Sequence, residues 1–154
     1  MKHVITPPNL IDLRDYQKFI FLAGSIEMGK AEDWQNKVIK AIPDSDIWDT
    51  CIFNPRRDDW DSSWEQSIDN KQFKEQVNWE LNSIEHSDTV FFYFQPGTKS
   101  PISLLELGLC VNFRDTKIIV CCPEGFWRKG NIDIVCERLG IYVYTDLEEA
   151  VKQI

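Results

Sequence analysis

Five apolar runs, each halted by glycine, proline or polar residues, alternate along the chain with segments of helical periodicity. They are "KFIFLAG" (18–24), "WDTCIFNP" (48–55), "TVFFYF" (89–94), "KIIVCCP" (117–123) and "IYVY" (141–144). Runs this short, rich in β-branched and aromatic residues, read as strands buried on both faces. Between the first two, "AEDWQNKVIKAI" (31–42) spaces Trp34, Val38, Ile39 and Ile42 as a helix does, and Pro43 ends it. Residues 71–86, 100–113, 131–139 and 146–154 also read as helices, the last capped by Asp146. Such alternation predicts an α/β protein whose mostly parallel, five-stranded sheet is covered on both faces. With 154 residues and no repeat, low-complexity tract or linker, the expectation is a single domain over 1–154. Residues 1–17 read as a turn-rich lead-in. "RRDDWDSSWEQSIDN" (56–70) reads as a long loop, a feature that in a compact domain is often functional.

Charge and cysteines narrow the function. A net charge of −8 repels nucleic-acid phosphates at long range, so a duplex partner is not expected. Five cysteines without a C-x-x-C spacing, and two histidines (His3 and His86) away from any cysteine pair, argue against a zinc site. No cofactor is implied. No apolar run approaches 18 residues and no signal peptide is seen, so the expected setting is the cytoplasm, without a membrane partner.

Two acids lie where hydrophobic residues belong. In 71–86, Phe73, Val77, Leu81 and Ile84 form a stripe at 100° per residue, and Glu80 falls inside it. In "SPISLLELGLCVNF" (100–113), Ile102, Glu106, Leu109 and Phe113 share a face. Burying a carboxylate without a partner costs several kcal/mol or raises its pKa. A structural acid satisfied by backbone amides, Arg56 or Arg114 is the alternative. Two such acids on consecutive helices flanking one strand favour chemistry, and Glu106 follows a strand's carboxyl end, where parallel sheets bind ligands. A carboxylate pair suits glycosyl transfer: one attacks or stabilises the anomeric carbon, the other handles the leaving group's proton.

Other stretches carry weaker signals. "FLAGSIEMGK" (21–30), with Gly24, Ser25 and Gly29, is a strand–turn–helix junction whose amides suit a hydroxyl or phosphate, or a plain tight turn. Arg56 and Arg57 suit an anion, or pair with Asp58 and Asp59. Trp60 and Trp64 suit stacking on a base, or packing on the domain. Asp88 opens a strand and reads first as a junction hydrogen-bonder. "WRKG" (127–130) reads as a surface turn.

Taken in series, "FLAGSI" (21–26), "VNWELNSIEHSDTVFFYF" (77–94) and "SPISLLELG" (100–108) resemble the nucleoside 2-deoxyribosyltransferase superfamily, which includes the 2′-deoxynucleoside 5′-phosphate N-hydrolases. The resemblance spans roughly residues 18–122 and looks most like a poorly described branch. It implies a flavodoxin-like (Rossmann-like) three-layer α/β/α fold and double displacement through Glu106 as nucleophile at C1′. It places Glu80 where the family has the Asp that manages the base's proton. Ser25 and Ser100 match serines that hold the 5′-phosphate in the hydrolase branch; in the transferase branch an Asp at the Ser100 position holds the 5′-hydroxyl. The substrate-binding set implied around them is Gly24, Ser25, Ile26, Arg56, Trp60, Asp88 and Ser100. Two residues depart from the family. Glu27 stands where the hydrolase branch has a phosphate-contacting Arg, and would repel a phosphate unless Arg56 or Arg57 compensates. Phe21 stands where a Tyr often orients the nucleophile, a task then left to Tyr93 or a water.

The expected function is cleavage or transfer at the N-glycosidic bond of a nucleoside or nucleotide. The alternatives are a catalytically weak nucleotide-binding module, which Glu27 and Phe21 favour, and a hydrolase of another nucleotide-derived ligand such as NAD. The resemblance also implies a homo-oligomer, a dimer or larger.

Overall fold

A computed structural model describes residues 1–10, 12–27, 31–45 and 47–154. Gly29 lies outside the described residues. Among the described residues six parallel strands form one sheet: β1 (Lys2–Ile5), β2 (Lys18–Gly24), β3 (Thr50–Phe53), β4 (Thr89–Tyr93), β5 (Lys117–Cys121) and β6 (Val143–Tyr144). Their order is β1-β3-β2-β4-β5-β6. The sixth strand corrects the five-stranded expectation. Part of the lead-in, "KHVI", pairs as an edge strand with β3, from Lys2 opposite Thr50 to Ile5 opposite Phe53. One neighbour and half-buried side chains leave such an edge with little apolar signature, so sequence reading misses it.

The central strands carry the core. Ile20 to Gly24 of β2 and all of β4 are buried, and each large apolar side chain fully buried there is worth about 1.5–3 kcal/mol. Among the described residues five α-helices cover the sheet: α1 (Trp34–Ala41), α2 (Lys71–Glu85), α3 (Pro101–Cys110), α4 (Lys129–Arg138) and α5 (Leu147–Val151). On one face, Trp34, Val38 and Ile42 from α1 and its end join Ala150 and Val151 of α5 against Ile20, Leu22 and Phe91. On the other, Trp79 and Ile84 of α2, Leu107 and Cys110 of α3 and Ile132 of α4 pack on Phe21, Phe92 and Val120. The result is a flavodoxin-like three-layer α/β/α architecture.

Side-chain caps set three helix starts. Asp33, Asn70 and Asp146 accept from the backbone N–H of Asn36, Phe73 and Glu149. Residues 56–70 contain neither helix nor strand. The five cysteines are free and buried. No helix among the described residues is long and apolar enough to cross a membrane.

The two acid-bearing helices are rotated from their expected faces. On α2 the buried residues are Gln76, Trp79, Ser83 and Ile84, while Phe73, Val77 and Leu81 are half-buried. On α3 they are Ser103, Glu106, Leu107 and Cys110, while Ile102 and Leu109 are 57% and 43% exposed. Helix α3 is apolar all round, so hydrophobicity does not select its inward face; contact with β2 and β4 does.

Candidate active site

Strand order reverses between β2 and β4. After β2 the chain crosses towards β3; after β4 it crosses towards β5. Open α/β sheets bind ligands in the crevice outside the carboxyl ends at such a point. Gly24 ends β2 against the Tyr93 carbonyl, and a Cβ there would stand 2.2 Å from that oxygen and 2.7 Å from the Trp34 ring. The missing side chain lets Ser25 N–H donate to the Tyr93 carbonyl at 3.1 Å. The Ser25 hydroxyl then lies 2.6 Å from that of Ser100 and 2.8 Å from that of Thr98, with Thr98 and Ser100 3.0 Å apart. Gln95 N–H donates to the Ser25 hydroxyl at 2.9 Å, and the Thr98 hydroxyl donates to the Gln95 carbonyl at 2.8 Å. Three hydroxyls thus tie the loop after β4 to the loop after β2.

Helices α2 and α3 lie on the same face of the sheet and bring Glu80 and Glu106 together. Burial, and then the charge of Glu80, hold the Glu106 carboxyl well above the usual carboxylate range. Burial pushes Glu80 up to about 7, opposed by the hydrogen bond from Gln76. Among the described residues no cation forms an ion pair with either acid. Two close carboxyls with no counter-charge oppose each other's ionisation and titrate as a unit. The Glu80 residue is half-buried.

Gln76 fixes the orientation of Glu80. Its Nε2 donates to Glu80 Oε1 at 2.6 Å, and its Oε1 accepts from Arg57 Nη1 at 3.1 Å. Asp59 grips the other edge of Arg57 through two 2.7 Å bonds, and the guanidinium lies 5.2 Å from the Trp64 ring centre. Arg57 therefore pairs with Asp59 and also reaches the helix. Sequence reading passed over Gln76 and Thr98. For Gln76 the legible signal was its place four residues before Glu80 on one helix; for Thr98 it was a hydroxyl two residues before Ser100.

The other expected site residues divide by position. Gly24, Ser25 and Ser100 meet at the crevice, and the half-buried Ile26 follows them. Arg56 donates to the Ala31 and Glu32 carbonyls at 2.9 and 3.2 Å and to Gln35 Oε1 at 3.4 Å, in the segment that follows the crevice loop. Trp60 sits edge-on to Trp64, 5.1 Å between centres. Its indole N–H is buried with no partner among the described residues. Asp88 precedes β4 at the amino end of the sheet, where it accepts from Phe19 N–H at 2.7 Å, away from the crevice. Phe21 is fully buried beside Trp79. Tyr93 packs on Trp34 on the opposite face of the sheet from α2 and α3, so its hydroxyl cannot stand in for the one Phe21 lacks. A recess of about 470 Å³, lined by Pro8, Arg57, Trp64, Gln72, Gln76 and Trp79, opens beside the acid pair rather than over it. Gln76 belongs to both.

A family model described as "Nucleoside 2-deoxyribosyltransferase like" matches residues 17–126, more than two thirds of the chain and all the crevice and acid residues described above. No curated protein matches the chain. The chain belongs to the nucleoside 2-deoxyribosyltransferase-like family, and membership points to glycosyl transfer on nucleosides.

Proposed function

We propose that this member of the family cleaves the N-glycosidic bond of a nucleoside by double displacement, with Glu106 as nucleophile and Glu80 as acid and base. What supports the reading is two carboxyls on neighbouring helices, close enough for the charge of one to act on the other, with no cation paired to either among the described residues. In the reactive microstate Glu106 is the anion and Glu80 holds the proton. A Glu106 oxygen forms a bond to C1′ as the C1′–N bond breaks. The bond's electron pair leaves with the base, which takes the Glu80 proton. Glu80, now anionic, accepts a proton from water or an incoming base, which attacks C1′ and releases Glu106. Apolar surroundings limit stray water during the covalent stage.

The Arg57–Gln76 chain holds Glu80 in place through both half-reactions. The small-molecule partner is a nucleoside, and assembly into a homo-oligomer completes the proposal. The test incubates the protein with purine and pyrimidine deoxynucleosides, with and without acceptor base. Released base is read by chromatography and the glycosyl-enzyme by mass spectrometry. Base release, and a mass increment on the peptide containing Glu106, are expected. Release that persists in Glu106→Ala overturns the assignment.

A further inference from the structure

Arg57 stands in the loop after β3, and its side chain is 11% exposed. A guanidinium carries donors only and keeps its charge. Asp59 takes hydrogens from Nε and Nη2, each at 2.7 Å, and the Trp64 ring centre lies 5.2 Å from the guanidinium carbon. The group is therefore held in one orientation, with Nη1 donating to Gln76 Oε1 at 3.1 Å. An amide side chain can turn either its oxygen or its NH2 group to a neighbour. Facing a partner that can only donate, the buried Gln76 must offer Arg57 its oxygen. Its NH2 group then falls on Glu80 Oε1, at 2.6 Å.

We infer that Arg57 is a positioning residue: by fixing which way the Gln76 amide faces, it confines the exchangeable proton of Glu80 to Oε2. A proton on Oε1 would set O–H against N–H across 2.6 Å, donor facing donor. Oε2 makes no hydrogen bond among the described residues, so a proton there is not tied to the protein. When Glu80 ionises, Oε1 still accepts from Gln76, and the amide keeps one orientation in both protonation states. Among the described residues the ionisable groups that bear on Glu80 are Glu106, from α3, and Arg57, acting through Gln76. The catalytic consequence rests on the glycosyl-transfer reading given above: Oε2 is the oxygen that gives the proton to the leaving base and takes one from the incoming nucleophile.

Two readouts test this. The first is the C=O stretch of protonated Glu80 in the ligand-free protein, from infrared difference spectra between pH 5 and pH 9. Burial pushes Glu80 up to about 7, so these values bracket it, and loss of the band in Glu80→Gln assigns it. With the proton on Oε2, the C=O oxygen is Oε1 and accepts from Gln76, so Gln76→Met should move the band to higher wavenumber. With the proton on Oε1, the C=O would already lack that bond and the band would stay in place. Arg57→Met lets the amide turn and should also raise the band, whereas Arg57→Lys keeps a donor and should hold it near the wild-type position. The second readout is kcat for base release from an ordinary deoxynucleoside and from one methylated at N7 of the base. Arg57→Met should lower the first about tenfold, the scale of one hydrogen bond that now retains the proton, and the second far less. Adding Gln76→Met removes that acceptor, so the double variant should recover to the level of Gln76→Met alone. Losses that add, or that fall equally on both substrates, overturn the inference, as does an unmoved band in Gln76→Met. That band needs no change at Arg57, so it decides the matter even where Arg57→Met does not fold. A moved band without base release would sink the catalytic reading and leave the proton's placement standing. Base release that needs Glu106, with an unmoved band, would do the reverse.

Discussion

Three glutamates reach the ligand side of this fold and receive opposite treatment. The Glu27 carboxylate takes two backbone N–H donors at a helix start. Glu80 receives one side-chain amide, from Gln76. For Glu106 the described residues supply burial and a neighbouring acid. A paired charge at a helix N-terminus stabilises the fold, whereas a buried carboxyl short of donors destabilises its own charged form. The first arrangement holds its place in the fold; the second is the one to which the proposed mechanism gives proton transfer and bond formation.

The largest effect that can break this contrast is on chemistry. Glu106→Ala should lower base release on the order of 10³-fold or more for every substrate, measured by single-turnover chromatography. Residual turnover within tenfold of wild type would place the nucleophile elsewhere. Glu80→Gln should cost about 10²-fold with ordinary deoxynucleosides. It should cost far less with a base methylated at N7, which departs without needing a proton. Equal losses on both substrates would remove Glu80 from the proton-transfer role.

Stability should separate the same residues in the opposite direction. Burial raises Glu80 from 4.5 to about 7 in the folded protein, so the folded state binds more protons than the unfolded state between those values. Stability therefore falls as pH rises through that window and stays lower above it. In Glu80→Gln this part of the slope should vanish, giving a gain on the order of 3 kcal/mol at pH 8 and none at pH 4, read by urea denaturation. By contrast, Glu27→Gln should lose about 1 kcal/mol, because a charge-assisted pair of bonds becomes a neutral one. Should both variants gain, or both lose, the contrast fails. The smallest effect concerns Gln76. Its hydrogen bond lowers Glu80, so Gln76→Met should move the alkaline limb of the kcat/KM profile to higher pH, with less than a tenfold change in rate.

Much of the architecture was legible because strand burial and helix period leave opposite marks on a sequence. The runs beginning at Lys18, Thr89 and Lys117 appear as β2, β4 and β5, and Asp146 caps α5 as read. Edge strand β1 was not legible, because half-buried side chains next to a single neighbour need no apolar run. The acids at 80 and 106 stood out as charges among hydrophobic neighbours. Their true companions did not: Val77 and Ile102 were expected beside them, whereas Gln76 and Ser103 are buried with them. A helix that is apolar on every side carries no angular information about which face will be covered.

The residue string by itself determined the alternation of strands and helices, and with it a parallel sheet and the family's sequence pattern, because these rest on local periodicity and steric preference. Tertiary structure alone decided that Glu27 would cap a helix more than seventy residues away, that Ser25, Thr98 and Ser100 would share their hydroxyls, and that Arg56 would bond the Ala31 and Glu32 carbonyls. Those outcomes depend on where strand order reverses, a property of the assembled sheet that no local stretch of sequence encodes.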